Sequence, residues 1–169
     1  MEINIERILI EQKSVLRNLL ELYNYEFTDY GSEDVDEHGL YGYMYLDNYW
    51  TEDGRYPYMI RVDGKIAGFA LIRTVTDSSS ATVHIYYNMC EFFVMRKYRH
   101  KGVGVSAAFK VFDMHPGEWH IAQMEENRPA QEFWRRVISK YTSGRYEEIR
   151  EDGWEGPIQV FTSDCDVID

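Results

Sequence analysis

The chain has 169 residues, 44% hydrophobic and 28% charged, a balance that suits one soluble domain, residues 1–169, with a sizeable core. Its formal net charge of -11 speaks against nucleic acid as a partner, which would call for a broad basic face. Two cysteines in no metal-binding pattern, no signal-like leader and no apolar run of membrane length predict a cytoplasmic protein with neither metal nor membrane partner.

Residues 3–10 alternate well enough for a first strand, and residues 12–27 place Val15, Leu16, Leu19, Leu20, Leu22 and Tyr23 at helical spacing. Residues 31–54 differ. They carry seven acids, no Lys or Arg, and interleaved aromatics from Tyr41 to Trp50, which predicts a long loop or short helix covering a site. A plain solvated loop is the alternative. Tyr56 to Val62 and Ile66 to Thr74 flank Asp63-Gly64-Lys65, a hairpin signal. A polar loop follows at Asp77-Ser78-Ser79-Ser80, and Thr82 to Tyr87 leads into an apolar central strand, Met89 to Met95, which holds Cys90. Val105 to Met114 reads as a helix closed by His115-Pro116-Gly117, and Trp119 to Met124 as a strand. Arg128 to Tyr141 reads as a helix, with Pro129 in its first turn and Asn127 as its cap. Tyr146 to Glu151 and Ile158 to Thr162 are late strands, and Cys165 falls in the polar tail. One mixed α/β domain follows.

The segment between the central strand and its helix is the most informative. Arg96, Lys97, Arg99, His100 and Lys101 form a basic island in an acidic chain, followed by Gly102-Val103-Gly104. A strand, a glycine turn and a helix start aim free N–H groups and a helix dipole at one point, a site suited to phosphate. Neither a Walker loop nor a dinucleotide fingerprint is present.

The run from Glu91 to Gly104, with Arg99, Gly102 and Gly104 as Arg-x-x-Gly-x-Gly, resembles the cofactor motif of the GCN5-related N-acetyltransferases. Asn127-Arg128-Pro129-Ala130-Gln131-Glu132-Phe133-Trp134 resembles that family's next motif, and Ile66-Ala67-Gly68-Phe69 its strand opening. The resemblance implies a twisted, mostly antiparallel mixed sheet with helices on both faces. It also implies acetyl-coenzyme A as cosubstrate, and it leaves a homodimer open. Amides from Lys101 through Gly102, Val103 and Gly104 to Val105 would hold the pyrophosphate, with Arg99, Lys97 and Lys101 adding charge. Arg99 has a second role open to it, bonding backbone carbonyls to hold the turn. In this family the central strand splays from its neighbour, so Phe93 and Met95 would offer backbone groups to the pantetheine arm, and Val94 or Met95 an N–H to the oxyanion. Asn127 would contact the same arm or simply cap its helix. Phe133 and Trp134 would flank the thioester or serve only the core.

Glu91 is the candidate base, with a structural salt bridge as its alternative. Strand alternation points it with Phe93 and Met95, opposite Cys90, Phe92 and Val94. The string Glu-Phe-Phe-Val-Met is similar to that of the spermidine/spermine acetyltransferases, although Cys90 stands where those carry a second acid. Trp134 stands where many relatives carry an acidic Tyr, and an indole N–H is no useful acid. Glu91, together with Asp34, Asp36 and Glu37 of the acidic segment, suggests a small cationic amine as acceptor. The competing reading is a non-catalytic acyl-coenzyme A sensor on the same fold.

Overall fold

Near-continuous apolar runs, over residues 57–60 and 67–72, give strands that are buried on both faces, and the chain folds around one such sheet. The computed structural model describes residues 1–31, 33–78 and 82–163. The strands are β1 (Ile3–Arg7), β2 (Arg55–Val62), β3 (Lys65–Asp77), β4 (His84–Val94), β5 (Gly117–Ala122), β6 (Glu147–Ile149) and β7 (Ile158–Ser163). They lie in the order β1-β2-β3-β4-β5-β7-β6. Every pairing is antiparallel except that of β4 with β5, which is parallel. Asp63 and Gly64, with φ of 48 and 74°, close the β2–β3 hairpin as a left-handed two-residue turn.

The helices are α1 (Lys13–Phe27), the single turn α2 (Asn48–Thr51), α3 (Val103–Met114) and α4 (Arg128–Thr142). Leu16, Leu19, Leu20 and Tyr23 of α1 pack with Tyr49 of α2 on Met59, Phe69, Leu71 and Phe93, covering one face of the sheet. Phe112 of α3 and Trp134, Val137 and Ile138 of α4 cover the other face, over Ala70, Ile72, Met89, Trp119 and Phe161. The fold is thus a seven-stranded, mostly antiparallel mixed sheet with helices on both faces.

Most differences from the sequence reading are shifts at element ends. The first strand stops at Arg7, and Ile10–Gln12 forms a separate 3-10 turn before α1. Asp77 belongs to β3, while Ser79, Ser80 and Cys165 lie outside the described residues. The larger difference lies in β4. Leu71 pairs with Glu91 but Ile72 pairs with Met89, so Cys90 is an extra residue, a β-bulge. Met89 and Phe92 therefore both reach the α3/α4 face, although they are three positions apart. Cys90 packs on the α1 side, the side Glu91 faces, not opposite to it as simple alternation requires.

Candidate active site

The turn after β4 is built mostly by backbone. Arg96–Tyr98 makes a 3-10 turn, His100 and Gly102 take φ of 59 and 80°, and α3 begins at Val103. Ser106 N is the first amide bonded into the helix, to Gly102 O at 3.0 Å, which leaves the N–H groups of Val103, Gly104 and Val105 without helical partners. No side chain caps them. Open space surrounds Gly102, whereas a Cβ on Gly104 would lie 3.1 Å from the Phe133 ring. Gly104 thus makes room for α4, and Phe133 is a packing residue that stacks on Phe92 at 5.9 Å.

The basic island is less free than the sequence suggests. Glu26 of α1 accepts from Arg96 Nε at 3.1 Å and from Arg99 at 2.6 Å. Arg99 also donates through Nε to Val94 O at 2.6 Å, so of its two expected roles it fills that of holding the turn. Lys101 Nζ bonds Lys97 O at 3.0 Å. What remains open toward a phosphate is the amide nest of α3, with Lys97 and Lys101 beside it.

Beyond this turn the sheet splits. Strands β4 and β5 pair only at Tyr87 with Trp119 and at Asn88 with His120. Further along, the described residues of the two strands share no pairing, and a cleft of about 570 Å³ opens. Met95 N donates to Ala67 O at 2.8 Å, on the β3 side. By the alternation of an antiparallel ladder Phe93 also faces β3, and a Cβ on Gly68 would lie 1.9 Å from Phe93 O. This corrects the expectation for Phe93 and Met95: Phe93 and the Met95 N–H belong to the sheet, Met95 O accepts from Tyr98 N at 2.8 Å, and Phe92 and the Val94 N–H face the gap, Val94 O being held by Arg99. Of the two N–H groups expected at an oxyanion, that of Met95 is taken by β3 and that of Val94 faces the gap. On the far wall Gln123 spends its Nε2 on Ile121 O and Gln159, leaving Oε1 buried without a partner among the described residues. An extended amide-bearing chain ending in phosphates fits this set of groups: free amides at the turn, a strand edge along the gap and an orphan acceptor opposite.

Glu91 faces the same cleft from the α1 side. Its carboxylate accepts from Tyr23 Oη at 2.5 Å and from Tyr43 Oη at 3.1 Å. Burial raises its pKa above the ordinary carboxylate value, and the two hydroxyls hold the rise back. The same burial, with the charge of Glu91 nearby, pushes both tyrosines well above theirs, so they remain protonated donors. Tyr43 is delivered by the long acidic loop, which is bolted to α1. Glu21 accepts from Tyr41 N and Gly42 N at 2.8 and 2.9 Å, and Asn24 donates to Gly42 O. Sequence reasoning placed Tyr23 in the core only. The tyrosines of residues 41–50 were visible, but their target was not.

The other candidates separate. Asn127 lines the cleft and its side chain accepts from Ala130 N at 3.1 Å, capping α4. Trp134 is 6% exposed, lines the cleft and packs edge-on to Phe92 at 5.1 Å. Asp34, Asp36 and Glu37 are exposed and lie off the cleft wall, and Asp36 is engaged by His38 N and Leu40 N of its own loop. No group of residues that could hold a metal occurs among the described residues, and no helix there is long and apolar enough to cross a membrane.

Residues 16–138 match the model of the acetyltransferase (GNAT) family, and the chain belongs to that family of acyltransferases. Its fold is similar to a GNAT acetyltransferase of Staphylococcus aureus Mu50, with 16% identity, a TM-score of 0.65, and 96% of this chain and 100% of the other covered. It is also similar to the PaiA N-acetyltransferase of Thermoplasma acidophilum in complex with coenzyme A, at 14% identity, TM-score 0.61 and coverage of 96 and 99%. An aminoglycoside acetyltransferase from an uncultured soil metagenomic sample, in complex with sisomicin, is similar at 15% identity, TM-score 0.59 and coverage of 90 and 95%. No curated protein matches the sequence at comparable significance.

Proposed function

We propose that this chain moves the acetyl group of acetyl-coenzyme A to a primary amine of a small molecule, within a ternary complex, and that the amine enters as a cation against Glu91. The observation that carries this reading is one cleft with two kinds of wall. Asn127, Ala130 and Trp134 line it on the α4 side, and Glu91 with its two tyrosines lines it on the α1 side. The amides of Val103, Gly104 and Val105 would take the pyrophosphate, and the edge of β4 at Phe92 and Val94 the pantetheine. The Thermoplasma protein of like fold carries coenzyme A, which supports the choice of cosubstrate.

In this reading Glu91 accepts the proton of the entering ammonium, directly or through a water, and its desolvated carboxylate is the better base for it. The freed nitrogen forms a bond to the thioester carbon, the carbon–sulfur bond breaks, the thiolate leaves, and the nitrogen gives up its second proton to the thiolate or to water. The Val94 N–H is placed for the developing oxyanion. Trp134 supplies no proton, so the thiolate leaves unaided or takes a proton from water. Asp34, Asp36 and Glu37 enter only as a long-range acidic field. The likeness of the β4 string to the spermidine/spermine acetyltransferases makes a polyamine one candidate acceptor, resting on Glu91.

Trp134, standing where many of the family have Tyr, favours one other reading, an acyl-coenzyme A sensor without catalysis. Free-thiol release from acetyl-coenzyme A against polyamines, aminoglycosides, amino acids and basic peptides decides between them. Release that depends on one amine supports the transferase. Tight cofactor binding with no amine-dependent release supports the sensor.

A further inference from the structure

The cleft is not lined as a binder of polycations would be. Its charged lining residues are Glu91, Arg55 and Arg73, two cations and one anion in a chain of net charge -11. Arg55 is already matched. Its Nε donates to Glu52 at 3.0 Å, and its guanidinium lies over the rings of Tyr45 and Tyr49 at 5.8 and 5.5 Å. Arg73 differs: among the described residues it has no ion pair and no hydrogen bond. It pairs with Asn88 across the β3–β4 ladder, and strand alternation puts it on the face of Leu71, which packs on the α1 side where Cys90 and Glu91 lie. Its charge acts on the Cys90 thiol, the neighbour of Glu91. Along β4 the positions of Asn88 and Glu91 are about 10 Å apart at most.

We propose that the cleft takes an amine that also carries a carboxylate, an amino-acid-like zwitterion, with its ammonium at Glu91 and its carboxylate on the guanidinium of Arg73. The proposal rests, for the chemistry at the amine end, on the acetyltransferase reading. The guanidinium fork matches a carboxylate in two parallel hydrogen bonds. A polyamine lying across the same cleft brings a second ammonium toward Arg73, where like charges repel. The transfer step is unchanged: a nitrogen–carbon bond forms, the carbon–sulfur bond breaks, the nitrogen loses one proton to Glu91 and a second to the departing thiolate or to water, and the thiolate leaves.

The test is calorimetric titration of the full chain saturated with coenzyme A. The probes are the protein amino acids, their α-amides, and spermidine. The expected result is binding of at least one amino acid, with its amide roughly ten- to a hundredfold weaker, as loss of a charged hydrogen-bonding partner implies. Arg73→Gln is expected to bind acid and amide alike while keeping the wild-type unfolding midpoint, since the Arg73 side chain makes no hydrogen bond or ion pair among the described residues and its place in the ladder is held by backbone. Three results overturn the proposal: an amide bound as tightly as its acid, spermidine bound more tightly than every amino acid, or no amino acid bound. Thiol release with acetyl-coenzyme A and the preferred amino acid then addresses the underlying reading separately. Preferential binding that Arg73→Gln abolishes, without thiol release, sustains the carboxylate anchor and sinks the transferase.

Discussion

Replacing Glu91 with Gln removes one charge and little else. The amide is nearly isosteric, and the hydroxyls of Tyr23 and Tyr43, now 2.5 and 3.1 Å from the carboxylate, can turn to suit it. If Glu91 accepts the proton of the amine, kcat falls by about 10²- to 10⁴-fold, the usual worth of a general base. If it only anchors the ammonium, the loss falls on KM, by roughly ten- to a hundredfold, the worth of one charged hydrogen bond. The pH profile separates the two. Burial raises the Glu91 pKa, so wild-type kcat/KM should drop on acidification through a point above the ordinary carboxylate range, and this limb should vanish in Glu91→Gln. Stability moves the other way. A folded carboxyl that holds its proton more tightly than the unfolded one loses stability as pH rises through its folded pKa. Glu91→Gln should therefore be at least as stable as the wild type at neutral pH, which rules out unfolding as the cause of lost activity. The assay is the initial rate of thiol release against amine concentration across pH, with unfolding midpoints alongside. A variant within about threefold of wild-type kcat/KM, with the acid limb intact, would refute the role assigned to Glu91.

Gly68→Ala should destabilise the protein by about 3 kcal/mol or more in denaturant unfolding, because its methyl would lie 1.9 Å from the Phe93 carbonyl, a backbone atom that cannot yield without moving β4. His115 is buried, bonded to Tyr58 Oη at 2.8 Å, and its pKa is lowered to about 4 by burial and by Arg7. The unfolded chain therefore binds the extra proton first, and stability should fall between pH 6.5 and about 4 by on the order of 3 kcal/mol. His115→Gln should flatten that slope in thermal scans, and an unchanged slope would assign it to other groups. Neutralising Asp34, Asp36 and Glu37 together should leave the acceptor KM within about twofold at physiological salt, where exposed charges are screened beyond roughly 8 Å. A several-fold rise would put those acids on the substrate path.

The sheet and its helices were legible because their signals are local. Asp63-Gly64 fixes the hairpin, Asn127 and Pro129 start α4, and the apolar spacing of residues 15–23 makes α1. The glycine turn was legible for the same reason, being one continuous stretch from Arg96 to Val105. The acceptor side was not. Its carboxylate comes from β4, its hydroxyls from α1 and from a loop residue 48 positions before Glu91, and nothing in the neighbourhood of Tyr23 or Tyr43 announces Glu91. Glu26 was hidden likewise, since its arginines lie about seventy positions away. The bulge at Cys90 reversed one facing, and the direction of the Met95 N–H moved the open strand edge to Phe92 and Val94. Both are matters of register, which a pattern of residue types leaves undetermined when a strand is apolar on both faces.

The short seam between β4 and β5 also bears on how the molecule comes apart. Two residue pairs join a plate of four strands to a plate of three, and the rest of the join is made by α3 and α4 lying across it. Backbone amides along such a seam have no rungs to protect them, so hydrogen exchange at Phe92 and Val94 should be fast in the free protein even though both lie deep in the sheet. A ligand that threads the seam acts as a splint between the plates. Its binding should slow those two amides selectively and make the unfolding temperature climb with ligand concentration, by the logarithm of occupancy.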